Sequence, residues 1–257
     1  MTKYIIGDVH GCVFEFEYLI CKLKPAAMSD IILVGDLMDK GPEPAKCVSI
    51  ARQSGMRMIL GNHEERHIKW YKHKMKKRED PSYVIPMKPL SEEDQIQNDL
   101  LTQADFDWLC SLPRTIQFDN WVIVHGGLFP NKSVEEQLKD KEMRDKIVRL
   151  RWLGEDGKHV PVDYENLKPG APDGARHWTE VYTGAENVVY GHEAFNLSTP
   201  YVVKKNHGPS LWGIDTGVVH GGHLTALVIE DNQATRCIRV KASKEYKKPL
   251  LPIPGGG

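Results

Sequence analysis

The chain carries almost no net charge: 34 lysines and arginines face 35 aspartates and glutamates, a formal balance of −1 over 257 residues. Bulk charge therefore directs the molecule neither to nucleic acid nor to an acidic membrane, and any anion site must be local. Long apolar runs are missing too, since none approaches the roughly 20 residues of a membrane-spanning helix. The cysteines are few, odd in number and scattered, at Cys12, Cys21, Cys47, Cys110 and Cys237. None pairs as CxxC, which excludes a zinc finger and points to reduced thiols in a cytoplasmic protein. The first motif begins at Gly7, so a removable secretory leader is not expected. No internal repeat is visible. The length suits one large domain or two small ones.

What is present is five short stretches of one kind: Gly7-Asp8-Val9-His10-Gly11, Gly35-Asp36-Leu37-Met38-Asp39, Gly61-Asn62-His63-Glu64, Val124-His125-Gly126-Gly127 and Tyr190-Gly191-His192. Each follows an apolar run of strand type and ends in a turn bearing a metal-ligand side chain. The first sixty residues read as β-α-β-α-β, with strands at Lys3 to Ile6, Ile31 to Val34 and Met56 to Leu60. Between them lies a helix from Cys12 to Lys24, with Phe16, Leu19, Ile20 and Leu23 on one stripe. A second helix starts near Pro44 and ends at Gly55. Right-handed crossovers make the strands parallel, so Asp8, Asp36 and Asn62 meet along the carboxyl edge of the sheet.

Further on, a basic helix is expected from Glu64 to Arg78. It reads as a solvated face or as a steering patch for a polyanion. Single helices are expected over Ser91 to Cys110, with Leu100, Phe106 and Leu109 buried, and over Val134 to Leu150. Residues 131–187 read as a polar insertion capping the site, because the fifth motif follows it. Strands at Asn187 to Tyr190, Tyr201 to Val203, Leu211 to Ile214, Leu224 to Ile229 and Thr235 to Val240 would form a second, mainly antiparallel sheet. The whole is one domain over 1–243, with a flexible tail over 244–257.

The candidate ligands are Asp8, His10, Asp36, Asn62, His125 and His192. Mixed imidazole and oxygen donors suit transition ions, Mn foremost and Fe, Zn, Ni or Co as alternatives, better than Mg or Ca. Six protein ligands are too many for one catalytic ion and suit two ions, about 3.5–4 Å apart, bridged by one carboxylate. Asp36, from the central loop, is the expected bridge. Two divalent cations against two anionic ligands leave a positive site that attracts phosphate. A water shared by the ions, acidified by them, would attack phosphorus in line. His63 is the expected acid for the leaving oxygen, with Asp39 on its other ring nitrogen to favour the protonated form. Lys40 is a candidate phosphate clamp and Arg151 a second one. His177, His207, His220 and His223 lack this context and read as structural or exposed. Asp215-Thr216-Gly217 matches the triplet of aspartic proteases, but those enzymes need two such aspartates, and a tight turn is the better reading.

Taken together, the five motifs resemble the calcineurin-like metallophosphoesterases, over residues 4 to about 230. Within that superfamily the chain is similar to serine/threonine protein phosphatases and to symmetrical diadenosine tetraphosphatases and their ApaH-like relatives. Ile214-Asp215-Thr216-Gly217 and Gly221 to Leu227 resemble the C-terminal strand pair of that subgroup. The resemblance implies an α/β fold, a two-sheet β-sandwich flanked by helices, with the six ligands and the acid His63 at the matching positions. It leaves two substrates open. Asp39 favours a phosphomonoester such as a phosphoprotein, taken as the first reading. Lys40, a point charge where most phosphatases have a forked guanidinium, favours a dinucleoside polyphosphate. A non-catalytic scaffold and a nuclease acting on short RNA ends are the remote alternatives. No membrane partner is expected.

Overall fold

Four consecutive residues that are nearly all apolar need cover on both faces, and Lys3–Ile6 is such a run. In the computed structural model it forms β1, with Ile5 and Ile6 inaccessible to solvent. The structure describes residues 2–162, 170–206 and 208–253. Helix α1 (Val13–Leu23) buries Phe16, Leu19 and Leu23 and partly covers Ile20, then stops before Pro25. Strand β2 (Ile31–Leu33), helix α2 (Pro44–Gln53, with proline in its first turn) and strand β3 (Arg57–Met58) follow. The three strands are parallel and adjacent in the order expected, with Ile5 beside Ile32 and Leu33 beside Met58.

Helix α3 (Asn62–Glu79) leaves directly from the third motif. The single helix expected after it is two, α4 (Glu92–Leu100) and α5 (Gln103–Ser111). A capping box makes the break: Thr102 Oγ1 accepts from Asp105 N–H, and Asp105 Oδ2 accepts from Thr102 N–H. Leu100 is consequently exposed and Leu101 buried in its place. After strands β4 (Thr115–Phe118) and β5 (Trp121–Val124), the helix expected over Val134 to Leu150 is also two, α6 (Val134–Lys139) and α7 (Lys141–Lys146). Asp140 ends the first and caps the second, its Oδ1 accepting from Met143 N–H. Then come β6 (Trp152–Leu153), β7 (His159–Val160), β8 (Arg176–His177), α8 (Trp178–Val181), β9 (Asn187–Tyr190), β10 (Tyr201–Lys204), β11 (Ser210–Gly213), β12 (His223–Glu230) and β13 (Gln233–Lys241).

Two five-stranded sheets result, in the orders β13-β12-β1-β2-β3 and β10-β11-β9-β5-β4, with a small β7-β6-β8 sheet beside them. The strands of the last third form where expected, but their grouping differs. β12 joins the first sheet antiparallel to β1, and β13 pairs antiparallel with β12 at that sheet's edge, so neither belongs to the second. The second sheet is mixed, since β5, β9 and β11 run parallel. Local pattern locates a strand; its partner is decided by which neighbour completes the cover of an already apolar edge. Here β1 needed a partner opposite β2, and Leu224–Ile229, buried on both faces, supplies it.

Ile5, Ile32, Val34 and Ile59 meet Ile116, Ile123, Val189 and Ile214 between the sheets. Helices α1, α2 and α5 cover the outer face of the first sheet. Val134, Ile147, Leu150 and Trp178, from the stretch expected as an insertion, cover the second against Val122, Val188 and Leu211. This is a two-sheet α/β sandwich flanked by helices, as expected. Parts of the expected insertion (163–169) and tail (254–257), and His207, lie outside the described residues. The start of the expected tail is anchored: Tyr246 Oη bonds to Glu15 Oε1 at 3.0 Å, a carboxylate with no solvent exposure. Among the described residues no helix is long and apolar enough to cross a membrane.

Candidate metal centre

All five motif loops leave the ends of strands that face the same edge of the sandwich. Asp8 and His10 follow β1, Asp36 follows β2, Asn62 and His63 open α3, His125 follows β5 and His192 follows β9. Several of these residues adopt left-handed backbone at non-glycine positions: φ is 45° at His10, 53° at Asp36, 67° at Asp39, 69° at Lys40 and 71° at His192. Such conformations cost on the order of 1–3 kcal/mol each and persist only when surroundings over-determine them. Glu64 does much of that. Its fully buried carboxylate accepts from the N–H groups of Asp36 (2.8 Å), Leu37 (2.8 Å), Met38 (3.0 Å) and Gly61 (3.1 Å). It thus clamps the second loop to the third. Gly61 and Gly191 must lack a side chain, because a Cβ would fall on the carboxylates of Asp36 and Asp8 respectively.

Asp36 lies at the centre. Its Oδ2 is 3.2 Å from His125 Nε2 and 3.7 Å from the Nε2 atoms of both His10 and His63. His125 Nε2 is also 2.9 Å from Asn62 Oδ1. Asp8 Oδ2 accepts from His192 N–H at 2.9 Å and is 4.0 Å from His10 Nε2. Two trios of potential donors meet at this centre, His10 with Asp36 and His63, and Asp36 with His125 and His192. Asp36 belongs to both. The far sides of two rings are fixed by backbone: His10 Nδ1 donates to Met38 O (2.8 Å) and His125 Nδ1 to Val34 O (2.7 Å). Both rings therefore present Nε2 to the centre.

Burial, with the Lys40 ammonium and His63, holds His10 well below its ordinary pKa; burial and Arg151 do the same to His192. Neutral imidazoles keep a lone pair for a metal. Burial, then Asp215 and Asp36, push Asp8 well up. At His125 burial pulls down, but Asp36 prevails and lifts it to about 9. The donor set fits a pair of divalent transition ions. Imidazole nitrogen and carboxylate oxygen are mixed, one carboxylate serves two trios, and Asp8 Oδ1 is buried with no hydrogen-bond partner, as a metal ligand would be.

His63, a member of the first trio, has its Nδ1 2.5 Å from Asp39 Oδ2, which leaves Nε2 facing the centre. Burial opposes ionisation of Asp39, yet hydrogen bonds from His63 and His67 hold it far below the usual carboxylate range. Lys40 Nζ points inward, 2.9 Å from His10 Nε2. Arg151 stands at the rim, its Nη2 donating to His192 O at 3.1 Å. Arg149 points elsewhere and pairs with Glu65. His177, His220 and His223 bond to Thr179, to Lys247 O and to Leu197 O, and join neither trio. Asp215 accepts from Gly217 N–H in a turn, and its charge acts on Asp8. Sequence reading gave no role to Glu64, His67 or Asn98. For His67 a signal existed: it lies four residues after His63, on the same helix face.

Residues 1–195 match the family model of the calcineurin-like phosphoesterases. A symmetrical bis(5'-nucleosyl)-tetraphosphatase of Aggregatibacter actinomycetemcomitans is 25% identical over an alignment of 297 positions, covering 96% of this chain and 100% of that protein. One from Vibrio parahaemolyticus is 24% identical over 198 residues, 76% of this chain and 66% of the relative, just under two thirds of its length. The crystal structure of a candidate diadenosine tetraphosphatase shares the fold, with a TM-score of 0.67, 24% identity, and coverage of 94% of this chain and 93% of that one.

Proposed function

The chain belongs to the calcineurin-like phosphoesterase family, and from that premise we propose that it hydrolyses the phosphoanhydride chain of a dinucleoside polyphosphate. The observation that carries this reading is the end-to-end similarity to a symmetrical bis(5'-nucleosyl)-tetraphosphatase. A second supports it: a cleft of about 440 Å³ opens beside Lys40, lined by Gly41, Pro42, Asp94, Gln97 and Tyr246. That volume is within the range of small-ligand sites, and it lies beside the lysine assigned to the phosphate. The order of the two substrates read from sequence is thereby reversed. The five motifs would meet only the phosphoryl group, which esters and anhydrides share, so they do not distinguish what departs from it.

Asp8, His10, Asp36, Asn62, His125 and His192 would hold two divalent ions, which supply Lewis acidity and an acidified water when bound. Asp36 offers its carboxylate to both trios, and the carbonyls of Met38 and Val34 keep His10 and His125 turned toward it. His63 delivers a proton from Nε2 to the leaving oxygen, with Nδ1 anchored on Asp39. Lys40 sets an ammonium against the phosphate oxygens, and Arg151, tied to His192, extends positive charge along the polyphosphate.

The His63–Asp39 contact favours a second reading, a phosphomonoesterase acting on phosphoprotein, because a built proton donor matters most for a poor leaving group. A parallel assay with Mn decides between them, using diadenosine tetraphosphate, p-nitrophenyl phosphate and a phosphoserine peptide. The expected result is a kcat/KM for the dinucleotide about tenfold or more above the monoesters, with ADP as the product. A preference for the phosphopeptide restores the other reading.

A further inference from the structure

Helix α3 carries a second histidine that the reaction as described does not use. His67 is fully buried, one turn beyond His63. Its Nε2 is 2.5 Å from Asp39 Oδ1. Its Nδ1 is 3.0 Å from Nδ2 of Asn98 on α4, itself buried. The same amide nitrogen is 3.3 Å from the backbone carbonyl of His67. A carbonyl only accepts, so the NH2 end of Asn98 must be the end facing His67. It then also donates to Nδ1, which is the bare ring nitrogen, and the ring proton sits on Nε2, aimed at Asp39. Each oxygen of Asp39 is thus taken by a different histidine, Oδ1 by His67 and Oδ2 by His63.

We propose that His67, its tautomer set by Asn98, is a positioning residue that locks the Asp39 carboxylate and through it aims His63 at the leaving oxygen. This rests on the reading of His63 as the acid. A carboxylate met on one side only is free to turn about its terminal bond; met on both, it is not. Two other charged groups lie near. Arg66 Nη1 is 3.8 Å from Asp39 Oδ2, and Asp94 offers an oxygen within 4.8 Å of ligand atoms of Asp39 and His67. Asp39, His67 and Asp94 have the composition of a cation site. The two imidazoles already engage both Asp39 oxygens, however, so a cation there would have to displace His67. Hydrogen bonds join Asn98, His67, Asp39 and His63 into one chain, with Asn98 Oδ1 left buried and without a partner at its far end.

The test has one readout that needs no turnover and one that does. In the full chain loaded with diamagnetic Zn, long-range proton–nitrogen NMR is expected to show His67 as the Nε2–H tautomer. Asn98→Asp is expected to draw a proton onto Nδ1. In steady-state assays with Mn, His67→Leu is expected to lower kcat on phenyl phosphate by about 30-fold but on p-nitrophenyl phosphate by under about threefold, since the better leaving group needs less protonation. KM for both stays within about twofold. His67→Gln, which returns an N–H donor, is expected to recover most of the loss. An Nδ1–H tautomer in the wild type overturns the proposal. So does an equal loss on both esters, or a Gln variant no better than Leu. A wild type that cleaves no phosphoryl substrate overturns the functional reading instead, and the two failures are told apart because the tautomer is read without catalysis.

Discussion

Two buried carboxylates, Asp36 and Glu65, sit at hubs of equal prominence and do different things. Asp36 is 1% exposed and ringed by the imidazoles of His10, His63 and His125. Glu65 is 7% exposed and ringed by Lys69 at 3.0 Å, Arg114 at 3.2 Å and Arg149. Guanidinium and ammonium groups keep their protons at neutral pH and cannot ligate a metal. Imidazoles release theirs and can. Burial therefore does not separate a reaction centre from a structural cross-link; the chemistry of the partners does. Glu64 adds a third case between them in the chain, a buried carboxylate satisfied by backbone N–H groups alone.

The contrast breaks most sharply at Asp36. Asp36→Asn removes the anionic oxygen common to both trios. Activity should fall on the order of 10³-fold, the scale of losing a directly acting group. Metal content by plasma mass spectrometry should drop with it, while the urea midpoint of the metal-free chain hardly moves. Retention of both ions would refute the shared-carboxylate arrangement. Asp39→Asn comes next, with a loss of about 10²-fold on monoesters of poor leaving groups and unchanged metal content. At the other hub the signs exchange. Glu65→Gln should cost about 2 kcal/mol of stability in urea unfolding, below the range for a fully buried pair because Arg149 can turn to water. Its kcat on whichever substrate proves best should stay within about twofold of wild type.

Acidity sharpens the same contrast. Burial opposes ionisation of Glu65, but Arg149 and Lys69 prevail and hold its pKa below the ordinary value. A folded-state pKa below the unfolded one stabilises above the unfolded value, roughly 4.3, and that stabilisation is lost as pH falls from there toward the folded value. The urea gap between wild type and Glu65→Gln should be wide at pH 7 and should narrow as pH falls below about 4.3; a gap indifferent to pH would mean that charge is not what binds this hub. The smallest effect belongs to the surface. The Lys139–Glu135 pair spans 2.7 Å with both side chains about three-quarters exposed, so Lys139→Ala should shift stability by no more than about 0.5 kcal/mol in the same assay.

Much of this was legible in the residues. Strand and helix periods located β1, β2, β3, α1 and α2, and the motif loops followed from them. The breaks at Thr102 and Asp140 were written in capping side chains but were outweighed by continuous helical composition on either side. The pairing of β12 with β1 was not legible, because an eight-residue apolar strand fits either sheet equally well. Nor was the left-handed backbone at His10, Asp36 and His192, since nothing local distinguishes an imidazole or carboxylate residue that will be forced there.

The sequence by itself determined which donors exist and at which strand ends they emerge, because side-chain chemistry and crossover handedness are local properties. Tertiary structure alone decided that Glu64 clamps two loops, that Glu65 ties α3 to the arginines, and that His67 reaches Asp39. Those facts depend on where residues distant in the chain come to rest, and no spacing along the chain encodes a distance across it.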